Sequence, residues 1–236
     1  MMNNKKSKFW ILAAALPLFF ASCRDGGPVV TQAHLASLSL SGAVYTHEYG
    51  QFAYFTGDIP GFAAMPDIGQ TGEVAGGVFS FALPAQPGAV AGAIALEPLY
   101  YFFDYFFDDF FAGFYVNISD REARGVSARS FRTEGAERIS RGNWSASEYW
   151  QTDDFVVFVY ADRPFSIYSD GQTIAYGDFP LALNAFRIDL SQGWNAIHES
   201  YTFSAENSVT VTLAGGNPAG LRWVLWSAGE TLDGQD

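Results

Sequence analysis

Short stretches in which apolar and polar residues alternate run along most of the chain, separated by turns that contain glycine or proline. A period of two is typical of half-buried β-strands. It predicts strands at 36–44, 49–55, 78–83, 89–96, 112–118, 125–133, 164–169, 173–176, 181–190, 194–203, 208–213 and 221–226. Many short strands with regularly spaced turns indicate an all-β fold, most consistent with an antiparallel β-sandwich-like domain.

Four segments refine this expectation. The unbroken apolar run 155–161 (FVVFVYA) predicts a central strand that is buried on both faces. Asp170-Gly171 and Ser191-Gln192-Gly193 are hairpin-type turns between strand candidates. The stretch 57–77 is rich in glycine and has no period, which predicts a long loop.

The segment 99–115 (LYYFFDYFFDDFFAGFY) is the one place where the strand pattern fails, and eleven of its 17 residues are aromatic. At helical spacing Tyr101, Asp104 and Asp108 share one face, whereas the aromatic bias favours a strand. We expect a short helical or irregular aromatic insertion at 99–109.

The first 23 residues have the organisation of a secretory signal. Lys5, Lys6 and Lys8 precede an apolar run from Phe9 to Ala21, which is short for a membrane-spanning helix of roughly 20 residues. The run ends in Phe20-Ala21-Ser22-Cys23, which resembles the bacterial lipobox, although Phe20 stands where leucine is usual. That resemblance implies cleavage before Cys23 and lipid attachment to its side chain.

These features predict how the chain is organised and where it resides. We expect a lipoprotein signal peptide at 1–22, a tether at 23–33, a β-sandwich domain at 34–228 and a polar tail at 229–236. The domain is either one unit or two halves that meet near 134–150. Two or three acyl chains hold a protein in a bilayer where one would be marginal, so we expect a lipid-anchored protein of the bacterial cell envelope, with the outer membrane favoured over the inner.

Charge narrows the range of partners. After the signal the chain holds no lysine, and its ten arginines against 25 acidic side chains give a formal charge of −15. Nucleic-acid binding requires a basic face, and electrostatic attachment to anionic lipid requires a basic cluster. We therefore expect no nucleic-acid partner and attachment to the bilayer through Cys23 alone. Cys23 is the only cysteine, so a disulfide within the chain is excluded.

The second half of the chain carries a family resemblance. The segments 114–125 (FYVNISDREARG), 155–162 (FVVFVYAD) and 187–197 (RIDLSQGWNAI) resemble a group of uncharacterised lipoproteins of spirochaetes and related Gram-negative bacteria. The Gly193-Trp194-Asn195 tripeptide is the most specific part. The resemblance implies an all-β fold and an envelope location, and it supplies no catalytic residues.

Motifs for catalysis or metal binding are not assembled in the sequence. Neither His47-Glu48 nor His198-Glu199 belongs to an H-E-x-x-H motif, and strand neighbours point to opposite faces. The nucleophile elbow Gly-x-Ser-x-Gly does not occur. We expect no metal, no cofactor and no catalytic residue of these classes. Carboxylate pairs such as Asp104 with Asp108, or Asp153 with Asp154, leave acid–base hydrolysis open.

Aromatic residues are the stronger candidates for ligand binding, because exposed tyrosine and tryptophan rings bind sugars and protein partners. The candidate ligand-binding residues are Tyr100, Tyr101, Asp104, Tyr105, Asp108, Trp144 and Trp150. The leading expectation is a non-enzymatic, membrane-anchored lipoprotein that acts as a structural or ligand-binding module for a glycan or a protein. The alternative is a carbohydrate-active hydrolase that uses Asp or Glu residues.

Overall fold

The computed structural model describes residues 37–48, 51–65, 68, 70–87, 95–106, 114–133, 137–146, 150–176, 179–204 and 208–226. This part of the chain contains one short helix and many strands, so the all-β prediction is confirmed. The helix is α1 (Leu99–Phe106). The strands are β1 (Leu38–Glu48), β2 (Gln51–Tyr54), β3 (Ile59–Met65), β4 (Thr71–Ala75), β5 (Val78–Leu83), β6 (Glu97–Pro98), β7 (Asn117–Ile118), β8 (Arg124–Ala128), β9 (Ser130–Arg132), β10 (Arg138–Ala146), β11 (Trp150–Ala161), β12 (Phe165–Ser169), β13 (Gln172–Tyr176), β14 (Phe179–Leu183), β15 (Phe186–Leu190), β16 (Gly193–Ser204), β17 (Val209–Gly215) and β18 (Arg222–Trp226).

Seven strands close on themselves in a hydrogen-bonded circuit, which we call the strand ring. Its order is β10-β18-β1-β5-β4-β3-β9, and β9 pairs back to β10. Most neighbours are antiparallel, but β1 and β18 run parallel, with Val44 opposite Trp223. The ring therefore joins a strand near the start of the described chain to the last described strand.

A sandwich extends from one side of the ring. The large sheet continues from β10 through β11, β16, β17 and β14 to β13, and β14 and β17 are also parallel. The three-stranded sheet β15-β12-β7 covers it, with Ile188 and Leu190 buried in the same core as Leu181 and Val211. Helix α1 adds Leu99 and Phe103 to that core.

The apolar run in β11 is buried on both faces because it separates two cores. Val156, Phe158 and Tyr160 face the core of the ring, while Phe155, Val157, Val159 and Ala161 face the core of the sandwich. Successive side chains of a strand point to opposite faces, so a strand with a core on each side needs an unbroken apolar sequence. The predicted central strand is confirmed.

The predicted loop at 57–77 is wrong, because this stretch contains β3 and β4. A bulge in β3 hides the alternation: the pairing with β4 shifts between Ile59 and Phe62, which are three residues apart and both buried. Gly61, between them, has φ +75°, a backbone conformation that favours glycine.

Two predicted hairpins are instead crossings between sheets. Asp170-Gly171 is a turn, with Gly171 at φ +88°, but β12 before it belongs to the small sheet and β13 after it to the large one. The turn before Gly193 likewise leads from β15 in the small sheet to β16 in the large one. The predicted strand 181–190 divides at Asn184 into β14 and β15 for the same reason.

The predicted strand 125–133 divides at Arg129 into β8 and β9. The remaining predicted strands match the structure with shifted ends, except 112–118, of which only Asn117–Ile118 is a strand among the described residues, and 89–96, most of which lies outside them. Cys23, the signal, the tether and the tail also lie outside the described residues. Within the described part, no helix has the length and apolar character needed to cross a membrane.

Candidate functional site

The predicted aromatic site begins on α1. Tyr100 and Tyr101 lie with their ring centroids 4.1 Å apart, and the guanidinium of Arg121 lies 5.7 Å from the Tyr100 ring. Tyr101 is 46% exposed. Asp104 and Tyr105 belong to α1, but their side chains are outside the described part of the structure, as is the whole of Asp108.

Trp144 lies elsewhere, in an aromatic cluster on the outside of the strand ring. Its ring centroid is 4.4 Å from that of Trp226, 5.3 Å from Phe155 and 5.5 Å from His47. These rings cover part of the Trp144 side chain, which is half-buried. Trp144 therefore packs against the fold and does not stand free on the surface. Trp150 is the first residue of β11, and its side chain is not described.

The structure does not bring the tyrosines of α1 and Trp144 together. Leu99 lies beside Gly125, which pairs with Ala161 near the end of β11. Trp144 pairs with Asp153, eight residues earlier on the same strand. At 3.3 Å per residue, these positions are about 26 Å apart. The predicted residues therefore do not form a single site.

The carboxylates Asp153 and Asp154 point to opposite faces of β11 and do not form an acid–base pair. The Asp154 carboxylate is 3.0 Å from His198 Nε2, whereas Asp153 accepts hydrogen bonds from the Gln151 amide. Burial raises the pKa of Asp153. The same alternation separates His198 from Glu199, which confirms that the His198-Glu199 pair does not converge.

Glu199 forms the most deeply buried polar cluster among the described residues. Its side chain is 0% exposed, and Oε2 accepts hydrogen bonds from Tyr201 Oη at 3.0 Å and from Arg129 Nη2 at 3.2 Å. Burial raises the pKa of both Glu199 and Tyr201, although the Arg129 guanidinium opposes the shift at Glu199. The other oxygen, Oε1, has no hydrogen-bond partner in the described structure.

Arg129 reaches Glu199 through a gap beside β11. That edge of β11 pairs with β8 at residues 158–161 and with β10 at residues 151–155. Arg129 lies between β8 and β9, and its guanidinium is 5.4 Å from the centroid of the Phe155 ring. Glu199 is 0% exposed while Arg129 is 39% exposed, so the cluster resembles a structural ion pair more than a substrate site.

A cleft of about 450 Å³ at one end of the ring offers a better site for a ligand. Leu38–Ser41 of β1 line one wall, and Gly216 and Asn217, which directly follow β17, line the other. Phe158 and Trp223 form an apolar floor, and Arg141 also lines the cleft. This volume and this mixture of apolar and polar groups are typical of small ligand sites.

Trp223 is held in place by contacts with β1. Its indole Nε1 donates a hydrogen bond to the Ser41 carbonyl at 3.1 Å. Gly42 allows this approach, because a Cβ at that position would lie only 2.7 Å from Trp223 Cδ1. The floor of the cleft is therefore bonded to β1 and continuous with the core of the ring.

Arg141 is the polar group that gives the cleft its chemistry. Its Nε donates a hydrogen bond to Asn217 Oδ1 at 3.2 Å, and its guanidinium lies 5.4 Å from the centroid of the Trp223 ring. Burial lowers the pKa of Arg141. No carboxylate of the described residues forms an ion pair with it, so one half-buried positive charge faces the cleft without a counter-ion.

Arg141 and Trp223 were not among the residues predicted to form a site. Both lie in strands, whereas the sequence candidates were rings in segments that looked like loops. The stretch around Arg141 was polar enough to suggest a boundary between halves, and only the pairing of Arg141 with Trp223 in β10 and β18 places the charge beside the ring. No local motif in the sequence gives that pairing.

Within the described residues, no group of three or more His, Cys, Asp or Glu side chains is arranged to hold a metal ion. Comparison of the chain with protein-family models, curated proteins and solved structures found no match. Any statement about function therefore depends on the geometry of the chain itself.

Proposed function

We propose that this protein is a lipid-anchored component of the bacterial cell envelope whose β fold binds a ligand, a glycan or a protein segment, without transforming it. The observation that carries the proposal is the cleft of about 450 Å³ lined by Arg141, which forms no ion pair with a carboxylate of the described residues. A buried cation without a counter-ion costs free energy, and a ligand that supplies the missing charge recovers it.

Binding is tested by filling the cleft. Ser39 lies on its wall, and Ser39→Trp places a large side chain there. Ala82→Trp is the matched control, because Ala82 is exposed and pairs directly with Ser39 on β5 but does not line the cleft. On glycan and peptide arrays, we expect saturable binding by the wild type and by Ala82→Trp, and loss of binding in Ser39→Trp. Equal binding by all three proteins would show that the ligand does not bind in the cleft.

The anchor is tested separately. Cys23→Ser should give an uncleaved precursor that takes up no palmitate analogue during metabolic labelling, whereas the wild type is labelled. Label that persists on the serine variant would contradict attachment at Cys23.

One observation supports the alternative, a carbohydrate-active hydrolase: burial raises the pKa of Asp153, as in a general acid, and Asp153 lies directly opposite Trp144 in the sheet. Turnover of a bound glycan, lost in Asp153→Asn, Asp104→Asn or Asp108→Asn, would establish hydrolysis. Binding without turnover supports the binding module.

A further inference from the structure

One wall of the cleft is a strand edge rather than a strand face. Leu38, Ser39, Leu40 and Ser41 line it, and they are consecutive in β1. Only alternate residues of a strand line a cavity that lies against one face of its sheet. Consecutive residues line a cavity that lies beside the edge of the strand. The groups that border the cleft therefore include the backbone N–H and C=O of β1.

The register of β1 identifies which of these groups are unpaired. Val44 N donates to Gly77 O, in line with the antiparallel pairing of Leu40 with Phe81. Hydrogen-bonded and non-hydrogen-bonded pairs alternate along such a ladder, so Ser39 and Ser41 direct their backbone groups away from β5. Ser41 C=O accepts the Trp223 indole, which places this edge at the cleft.

The edge is free because β18 stops short of it. Val44 lies opposite Trp223 in the parallel pairing of β1 with β18, so a longer β18 would place Asn217 opposite Leu38. Instead β18 begins at Arg222, and both Leu38 and Asn217 line the cleft from opposite walls. In the described part of the chain, no strand pairs with β1 at residues 38–43 on this side.

Arg141 adds a charge requirement to this open edge. Guanidinium groups pair with carboxylates through two parallel hydrogen bonds, and a single positive charge is balanced by one carboxylate. An extended peptide is the ligand class that satisfies both features, because its backbone pairs with a strand edge while its carboxylate pairs with an arginine.

We propose that the cleft binds an extended peptide segment, which adds to β1 as a further strand along residues 38–41 and presents a carboxylate to Arg141. This inference rests on the ligand-binding role proposed above and specifies its ligand. Ser39 N–H, Ser39 C=O and Ser41 N–H supply the backbone pairing, and the apolar floor of Phe158 and Trp223 receives alternate side chains of the peptide.

The probe is an octapeptide of alternating threonine and valine that ends in glutamate, labelled with a fluorophore at its amino end and titrated against the full chain in mild detergent. Three further peptides separate the contributions: one with a C-terminal amide, one with glutamine for glutamate, and one N-methylated at alternate backbone positions. We expect N-methylation to abolish binding. Loss with the amide identifies the terminal carboxylate as the partner of Arg141, whereas loss with glutamine identifies the side chain.

Three variants test the protein side. Ser39→Pro removes the N–H that faces the cleft and should abolish binding, while Ser39→Ala keeps it and should bind within about twofold of the wild type. Ala82→Pro is the matched control on β5, because its N–H faces away from β1. Arg141→Gln should weaken the parent peptide about tenfold or more and leave unchanged the binding of whichever peptide, amide or glutamine, lacks the carboxylate that pairs with Arg141. Thermal melts show whether each variant is folded. If Ser39→Pro does not fold, the N-methylated peptide still tests the backbone pairing on the wild-type chain.

The two proposals fail in different ways. If glycans or other ligands bind the cleft, are blocked by Ser39→Trp and are insensitive to Ser39→Pro, the edge-pairing inference is overturned while the binding role stands. If the N-methylated peptide binds as well as the parent, the inference is likewise wrong. Peptide-independent self-association that Arg141→Gln abolishes would make a second copy of the chain the occupant instead.

Discussion

Arg129 and Arg141 lie toward opposite faces of β11, and the structure treats them differently. Arg129 is 39% exposed and bonds to a carboxylate, Glu199, that is 0% exposed. Arg141 is also half-buried, but its described partners are the Asn217 amide and the Trp223 ring. On the sandwich side the charge is neutralised by a carboxylate of the fold, whereas on the ring side no carboxylate of the described residues pairs with it. Buried charge is thus a better guide to a ligand site when it lacks a partner than when it has one.

The largest effect on stability that we expect comes from a core tryptophan and serves as a reference for the effects of the two arginines. Trp194 is 0% exposed, and its Nε1 donates to the Pro84 carbonyl at 2.7 Å. Trp194→Ala should lower the free energy of unfolding by roughly 3–5 kcal/mol, the usual cost of truncating a large core side chain. Chemical denaturation measures this. An unchanged melting temperature with lost ligand binding would show that Trp194 serves the ligand rather than the core.

Removing the positive charge of the neutralised pair should come next. Arg129→Met leaves Glu199 buried without its ion-pair partner, and we expect a loss of roughly 3 kcal/mol. Arg187→Met is the matched control, because the pair of Arg187 and Asp189 is largely exposed and should contribute within about 1 kcal/mol. Combining Arg129→Met with Glu199→Gln should recover part of the loss. Equal effects of Arg129→Met and Arg187→Met would contradict a structural role for the buried pair.

The pH dependence of stability reports the same pair with a smaller signal. Burial raises the pKa of Glu199 above 4.5, so the folded chain retains a proton that the unfolded chain has released. The contribution of Glu199 to stability is therefore fully present below pH 4.5 and is lost as the pH rises through the folded pKa. We expect Glu199→Gln to flatten this decrease in denaturation curves at several pH values. If the wild type instead gained stability relative to Glu199→Gln across this window, the raised pKa of Glu199 would be contradicted.

Arg141 should show the smallest effect on stability. Because it has no carboxylate partner in the described structure, Arg141→Gln breaks no ion pair, and its free energy of unfolding should stay within about 0.5 kcal/mol of the wild type. Differential scanning calorimetry of the unliganded chain measures this. If Arg141→Gln lowered the free energy of unfolding as much as Arg129→Met does, Arg141 would have a structural role and the two arginines would not differ in the way described.

Much of the fold is readable from local patterns. The period of two in Val78–Leu83 predicts β5 residue for residue, and the apolar run in β11 predicts its burial on both faces. Both follow from side-chain alternation alone. The Gly193-Trp194-Asn195 turn is also largely predictable, because the Asn195 side chain bonds to the Ser191 and Gly193 carbonyls, as expected for an asparagine in a turn.

What the sequence does not give is which strands become neighbours. Asp170-Gly171 has the composition of a hairpin, yet the strands on either side of it belong to different sheets. Turn residues report local backbone geometry, whereas the crossing follows from packing, because Ile167 before the turn and Ile174 after it pack into the same core from different sheets. The cleft is unpredictable for the same reason: it depends on the parallel pairing of β1 with β18 across most of the chain.

That pairing has a consequence for the order of folding. The ring cannot close until residues 222–226 are inserted between residues 44–46 and residues 138–142, so its completion waits for the last described strand. Contacts between such distant positions form slowly, because the entropy cost of closing a long loop must be met before the contacts stabilise the chain. The ring therefore stays open until the polypeptide is complete through β18, which would suit the export proposed above and would delay assembly of the proposed binding edge.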